Sequence, residues 1–134
     1  MINPEFLAKV ATDALLQEVN LAPKPGLVDP ISVGAHKDMT KDTFYQSIEA
    51  LRPYLLAYAE AGSRHNGTPL ELFNELRFLG KQAENAMMAA TNNINTHKGA
   101  NFSFALVLGA TAHTNGNIPE ALHYCHLMTR HLIE

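Results

Sequence analysis

Apolar residues recur every three or four positions along most of this chain of 134 residues. That spacing is typical of α-helices that bury one face. The first run follows Asn3-Pro4, an N-cap residue with proline at the first helical position, and it predicts a helix to about residue 20. A second run predicts a helix over about 40–62, in which Pro53 is expected to cause a kink.

Three further helices are indicated downstream. Thr68 and Glu71 have the spacing of a capping box and predict the start of a third helix, which ends before Asn92-Asn93. The fourth helix, about 99–114, is apolar nearly all round, so we expect it to be the central, buried one. Asn117-Ile118-Pro119-Glu120 begins a fifth. Because no stretch alternates as a β-strand does, the pattern predicts an all-α fold, a compact bundle of about five helices.

The composition narrows the class of protein. The length suits one helical domain over residues 1–134, with 46% hydrophobic and 17% charged residues. The net charge of −3 comes without a basic stripe, so nucleic acid is not an expected partner. No run of about 18 apolar residues could span a membrane, and the N-terminus lacks a signal-peptide pattern. With Cys125 as the single cysteine, these features favour a cytoplasmic protein.

The connection between the first and second helices is unusually long for a compact domain. It begins at Pro23-Lys24-Pro25-Gly26 and runs to about Met39. Connections of this length without secondary structure are commonly functional. Its polar residues that could carry chemistry are Lys24, Asp29, His36, Lys37 and Asp38. We therefore expect a long functional loop between helices 1 and 2.

A second concentration of polar residues, Asn95-Thr96-His97-Lys98-Gly99, lies directly before the fourth helix. Asn95 or Thr96 is the expected N-cap. A helix N-terminus carries positive partial charge, so two potential cations there are unfavourable unless an anion is present too. His36-Lys37 has the same position relative to the second helix, which is capped near Thr40. Phosphate is the anion that helix N-termini usually bind, so the repeated pair favours a phosphate site.

Two glutamates lie close to these polar stretches. Glu18 is near the end of the first helix and Glu84 near the end of the third, and both are expected to face inward. Each is either a functional carboxylate or one partner of a buried pair, with Arg52 or a backbone donor as the other. Lysines for phosphoryl oxygens and carboxylates for Mg²⁺ suit a polyphosphate substrate. Residue chemistry alone therefore indicates a helical protein that handles a phosphorylated small molecule.

Five blocks, in order along the chain, resemble the triphosphoribosyl-dephospho-coenzyme A synthase family. The blocks are 18–29, 34–39, 47–53, 79–87 and 90–100. The most distinctive stretches read Pro-Lys-Pro-Gly-Leu-Val-Asp, ending at Asp29, and Asn-Thr-His-Lys-Gly, ending at Gly99. Asn92-Asn93-Ile94 and Asn101 depart from the family pattern, and neither departure removes a charged candidate.

The resemblance implies transfer of the triphosphoribosyl group of ATP to 3′-dephospho-coenzyme A, with release of adenine. The product would be the precursor of the prosthetic group of citrate lyase, or of malonate decarboxylase in the sister branch. The resemblance covers the N-terminal half of the family. This chain would then be a fragment, a truncated form or one part of a split enzyme, inactive alone if the C-terminal half is required. Association with that half, or of two copies, is expected.

The implied reaction breaks the bond between adenine and ribose C1′, so a carboxylate near C1′ and a proton donor are expected. Candidate catalytic residues are Asp29, His36, Asp38 and His97. Candidate triphosphate and nucleotide ligands are Lys24, Lys37, Asn95, Thr96 and Lys98. Candidate Mg²⁺ ligands are Asp29, Asp38, Glu18 and Glu84. Because one triphosphate needs several cations, we expect His36 and His97 to face one cleft.

Two other functions remain open at this point. A non-catalytic helical module could bind a nucleotide, a phosphate or a protein partner without chemistry. A helical Mg²⁺-dependent nucleotide pyrophosphohydrolase would need clustered glutamates on its helices. The only glutamate pair with similar spacing, Glu71 and Glu75, has no further glutamates to form a cluster with, which weakens that alternative.

Overall fold

The computed structural model describes residues 1–21 and 40–132. Within these ranges the chain forms five α-helices and a short 3₁₀ turn, which confirms the all-α prediction. The helices are α1 (Pro4–Leu21), α2 (Lys41–Arg64), α3 (Pro69–Ala90), α4 (Lys98–His113) and α5 (Ile118–Thr129), and the turn is Arg130–Leu132. The ends of α1 to α4 lie within two residues of the predicted ends, whereas the last helix, predicted to reach 133–134, ends at Thr129.

Local hydrogen bonds explain where these helices begin. The Thr68 side chain accepts a hydrogen bond from the amide of Glu71 at 3.2 Å, and the Glu71 carboxylate accepts one from the amide of Thr68 at 2.7 Å. These bonds hold the pKa of Glu71 below its ordinary value. Thr40 caps α2 and Asn117 caps α5 in similar ways. α2 stays helical through Pro53, which is exposed to solvent.

The core lies between α2 and the helices around it. α2 buries Ile48, Leu51, Leu55 and Tyr58 along one face and packs against α1, α3 and α4. α4 contacts all four other helices, which confirms its predicted central position. It is not buried all round, however, because Phe102 is 39% and Val107 is 48% exposed.

α2 and α4 approach each other closely at two glycines. A Cβ atom on Gly62 would lie 2.0 Å from the carbonyl oxygen of Gly109, and one on Gly109 would lie 2.6 Å from Leu76 Cδ1. Only glycine fits at position 62, since real Cβ atoms do not approach backbone oxygen so closely, whereas an added Cβ at position 109 would require the Leu76 side chain to move. The crossing helps to set the position of α4 and of the polar residues before it.

Candidate functional site

The Asn-Thr-His-Lys-Gly stretch forms the N-terminal end of α4. The N-cap is His97, whose side chain makes no capping hydrogen bond, so the predicted cap at Asn95 or Thr96 is wrong in its position. Asn95 still supplies the capping bond, because its Oδ1 accepts a hydrogen bond from the Lys98 amide at 3.2 Å. The preceding turn places Asn92 and Asn93 at φ values of 56° and 67°, which asparagine tolerates better than most residues.

His97 is buried, with only 8% of its surface exposed. Its ring packs edge-on against Phe44 at 5.5 Å between centroids, and its Nδ1 lies 2.8 Å from Ser47 Oγ. Burial lowers the pKa of His97, and the charge of Glu18 opposes this in part. His97 is therefore neutral at neutral pH, and the expectation of two cations at this helix end is corrected to one.

Lys98 is that one cation, and it has a carboxylate partner. Its Nζ lies 3.6 Å from Oε1 of Glu84, which is also 3.8 Å from Nζ of Lys81. The Glu84 side chain is 22% exposed, so it faces partly inward, as expected. The predicted alternative partner of Glu84, Arg52, pairs with Glu49 instead at 2.9 Å.

A pocket of about 730 Å³ opens beside this ion pair, between α3 and the start of α4. It is lined by Arg77, Gly80, Lys81, Glu84, Asn95, Lys98, Gly99, Asn101 and Phe102. Three cations and one carboxylate give it a net positive charge. Arg77 makes no ion pair with any described residue, and the amide of Gly99 has no hydrogen-bond partner among them. Such a pocket suits an anionic ligand.

Asn101 joins three helices beneath the pocket. Its Oδ1 accepts a hydrogen bond from Tyr58 Oη at 2.6 Å, and its Nδ2 donates to the carbonyl of Gly80 at 3.1 Å. Both side chains are buried, and burial raises the pKa of Tyr58. These two bonds form a buried polar network that holds α2, α3 and α4 together.

Residue-by-residue reasoning did not single out Arg77 or Lys81. Arg77, Lys81 and Glu84 are spaced i, i+4 and i+7, which places them on one face of α3. That spacing is the sequence pattern that could have identified Arg77 and Lys81 as neighbours of Glu84. Ser47 carried no comparable signal, because its partners are about fifty positions away along the chain.

Thr96 and His97 face away from the pocket, towards α2. Thr96 Oγ1 donates to Ser47 Oγ at 2.5 Å, so its hydroxyl is engaged within the protein. The polar stretch therefore divides into two groups. Asn95 and Lys98 line the pocket with Glu84, whereas Thr96 and His97 meet Ser47.

Glu18 lies on the last turn of α1 and is exposed, so the expectation that it faces inward is wrong. Its charge nevertheless acts on His97. Nearby, Tyr45 Oη donates a hydrogen bond to Oδ1 of Asn20, which joins the end of α1 to the start of α2. Both ends of the predicted loop thus lie on the His97 side of the bundle.

The loop candidates lie outside the described residues. These are Lys24, Asp29, His36, Lys37 and Asp38. The shared cleft of His36 and His97 therefore stays a prediction. Within 1–21 and 40–132, no three His, Cys, Asp or Glu side chains are grouped as metal ligands would be.

Glu71 and Glu75 are each engaged by a group other than a carboxylate. Glu71 belongs to the capping box of α3, and the Glu75 carboxylate is 2.7 Å from Arg64. Neither is available as the paired carboxylate of a pyrophosphohydrolase.

No helix in the described part of the chain is long and apolar enough to cross a membrane.

The structure is thus that of an all-helical protein with a cationic pocket at a helix N-terminus, a location that suits a phosphorylated ligand. Comparison with protein families is more specific, because residues 4–131 match the CitG family of ATP:dephospho-CoA triphosphoribosyl transferases. The chain belongs to this family, as its motifs indicated.

Similar curated proteins carry the corresponding name. The chain is 56% identical over 106 residues to a probable 2-(5″-triphosphoribosyl)-3′-dephosphocoenzyme-A synthase of Streptococcus mutans, covering 78% of this chain and 36% of that protein. It is 51% identical over 124 residues to a protein of the same description from Streptococcus pyogenes serotype M49, covering 92% of this chain and 40% of the relative. The chain thus spans about two fifths of the length of these relatives. No solved structure matches it.

Proposed function

We propose that this chain binds the triphosphate of ATP for transfer of its triphosphoribosyl group to 3′-dephospho-coenzyme A, with release of adenine. Family membership supports the reaction. The observation that carries the location of the triphosphate is the pocket between α3 and α4, with Arg77, Lys81 and Lys98 around it. The product is the precursor of the prosthetic group of citrate lyase, or of malonate decarboxylase.

The pocket has the charges and donors that a triphosphate needs. Lys98 and Arg77 are exposed and reach solvent, so they can turn towards a ligand at little cost to the fold. The free amide of Gly99 and the positive end of α4 add a fixed donor. Glu84 holds Lys81 and Lys98 near each other in the unliganded protein, and a triphosphate oxygen replaces it as their partner.

The remaining roles are proposed from the chemistry of the reaction that the resemblance implies. Asp29 and Asp38 are proposed to stabilise positive charge at ribose C1′ or to hold Mg²⁺, and Lys24 and Lys37 to bind further phosphoryl oxygens. Mg²⁺ supplies charge neutralisation for the phosphates when bound. His36 or His97 is proposed to handle the proton that adenine takes up as it leaves. Both ends of the loop that carries five of these residues lie on the His97 side of the bundle.

A protein partner completes the proposal. Since the chain spans about two fifths of its relatives, we propose that full activity needs their C-terminal half or a second copy. The exposed apolar side chains of α4 and α5, among them Val107 and Leu122, are proposed as the contact surface. A monodisperse monomer in sedimentation, both alone and with the C-terminal half of the S. mutans relative, would contradict this part.

One assay separates the three candidate functions. The chain is incubated with ATP and Mg²⁺, with and without 3′-dephospho-coenzyme A, and alone or with the C-terminal half of the S. mutans relative. A transferase releases adenine only when the acceptor is present, and a pyrophosphohydrolase releases pyrophosphate or phosphate without adenine. A binding module gives neither product, although ATP binds in calorimetry. Absence of adenine in every combination would refute the proposed reaction.

A further inference from the structure

Three polar side chains, two of them buried, form a hydrogen-bonded series at the junction of α2 and the start of α4. Thr96 Oγ1 donates to Ser47 Oγ at 2.5 Å, and Ser47 Oγ lies 2.8 Å from Nδ1 of His97. Ser47 is fully buried and His97 nearly so. Polar groups in such an interior are costly unless their hydrogen bonds are made, so the direction of each bond is constrained.

The count of protons settles the direction of the bond to His97. Ser47 has one proton and two acceptor positions, and one of these accepts the bond from Thr96. In the described part of the chain, Ser47 Oγ makes no hydrogen bond besides those with Thr96 and His97. Its own proton therefore goes to Nδ1 of His97. If Nδ1 carried a proton instead, it would donate to Ser47 Oγ. The hydroxyl hydrogen of Ser47 would then have no acceptor among the described residues.

We propose that Ser47, oriented by Thr96, is a positioning residue that holds His97 as the neutral tautomer with its proton on Nε2. This inference rests on the proposed function for its catalytic meaning. Nε2 of His97 makes no hydrogen bond to any residue within 1–21 or 40–132, so its N–H is a free donor. The interior around it is otherwise apolar, with Phe44 against the ring and Met87 Sδ accepting from its amide.

The tautomer determines what His97 does in the reaction. A neutral imidazole with its proton on Nε2 can donate a hydrogen bond to a substrate acceptor. It cannot act as a general acid, because loss of that proton would leave an unstable anion. His97 then orients the substrate, and the proton that adenine takes up comes from another group, for which His36 is the candidate. Ser47 thus determines which of two roles His97 takes, so that it orients the substrate and does not donate the proton.

The direct test is nitrogen-15 NMR of the histidine rings in the whole chain, with the His97 signals assigned by their loss in His97→Gln. At neutral pH the wild type is expected to show an unprotonated Nδ1 and a protonated Nε2. In Ser47→Ala, the Nδ1–H tautomer or the imidazolium should appear, whereas Ser47→Thr, which keeps a hydroxyl, should retain the wild-type pattern. A wild-type His97 protonated on Nδ1, or a pattern unchanged in Ser47→Ala, would overturn the proposal.

Activity gives a second reading that a merely structural role would not produce. If the reaction is as proposed, Ser47→Ala lowers kcat by roughly tenfold, the scale found when a group that orients an imidazole is removed. The KM for ATP should stay near that of the wild type, because Ser47 lies outside the pocket. Circular dichroism and the unfolding midpoint check that each variant is folded. If Ser47→Ala does not fold, the wild-type tautomer alone still decides the question.

The two proposals can fail separately. The expected tautomer together with no adenine release would refute the reaction and leave the role of Ser47 supported. Adenine release from a protein whose His97 carries its proton on Nδ1 would refute the role of Ser47 and leave the reaction supported.

Discussion

Nζ of Lys98 lies 3.6 Å from Oε1 of Glu84, so the cation at the positive end of α4 has its anionic partner within the protein. The unfavourable placement of a lysine beside a helix N-terminus is relieved by a residue from the neighbouring helix. The pair lines the pocket that we assign to a triphosphate. Glu84 therefore competes with any anion for the same lysine, and both partners are open to test.

Lys98→Ala is expected to weaken ATP binding by about 1.5–3 kcal/mol, the usual scale for a charge-assisted hydrogen bond. Stability should change little, because the lost ion pair is largely exposed and the variant also removes a cation from the positive helix end. Titration calorimetry and urea unfolding measure the two effects. Lys9→Ala is the matched control, since Lys9 pairs with Asp13 on α1 and lies outside this pocket. Lost stability with unchanged ATP binding would make Lys98 a structural residue.

Glu84→Gln distinguishes a charge partner from a metal ligand. If Glu84 only competes for Lys81 and Lys98, the variant should bind ATP about two- to fivefold more tightly, roughly 0.5–1 kcal/mol, with or without Mg²⁺. If Glu84 holds the metal, the variant should weaken binding only when Mg²⁺ is present. Calorimetry under both conditions decides between them. Glu49→Gln, which breaks the exposed pair with Arg52, is the control.

Gly62→Ala is expected to destabilise the fold by about 3 kcal/mol or more, because the added Cβ meets the backbone of Gly109 and neither helix can yield locally. The free energy of unfolding in urea measures this. Gly99→Ala is the control, since no atom lies within 4 Å of its added Cβ, and its stability should be unchanged or slightly raised. Similar losses in both variants would mean that the crossing of α2 and α4 adapts.

His97 should make stability depend on pH. Burial holds its pKa below the ordinary value of 6.5, with Glu18 of α1 in partial opposition, and the nearby side chains of α2 and α3 are the uncharged Phe44, Ser47 and Met87. Below 6.5 the unfolded chain binds a proton that the native state does not, so stability rises with pH and is lost as pH falls towards the native pKa.

The measurement is the free energy of unfolding between about pH 7 and pH 5. The decline towards low pH should be smaller in His97→Gln than in the wild type. His123→Gln, an exposed substitution on α5, should keep the wild-type decline. Equal slopes in all three proteins would contradict the burial of a neutral His97.

Most helix boundaries were predictable because they depend on contacts within a few residues. The capping box of Thr68 and Glu71 and the cap at Asn117 involve partners three positions apart. The residue types at that spacing therefore predict both helix starts. The apolar spacing along α2 likewise identified its buried face, which includes Ile48, Leu51 and Leu55. The same local logic located the polar stretch before α4.

The roles of individual polar residues depended on the tertiary structure. Sequence placed His97 and Lys98 side by side as two cations, but the fold buries His97 against Ser47 and pairs Lys98 with Glu84. Neighbouring side chains at a helix start point in different directions, and which neighbours they meet depends on how α2 and α3 are rotated against α4. That rotation follows from packing between distant segments, such as the Gly62–Gly109 crossing, and spacing along one helix carries no information about it.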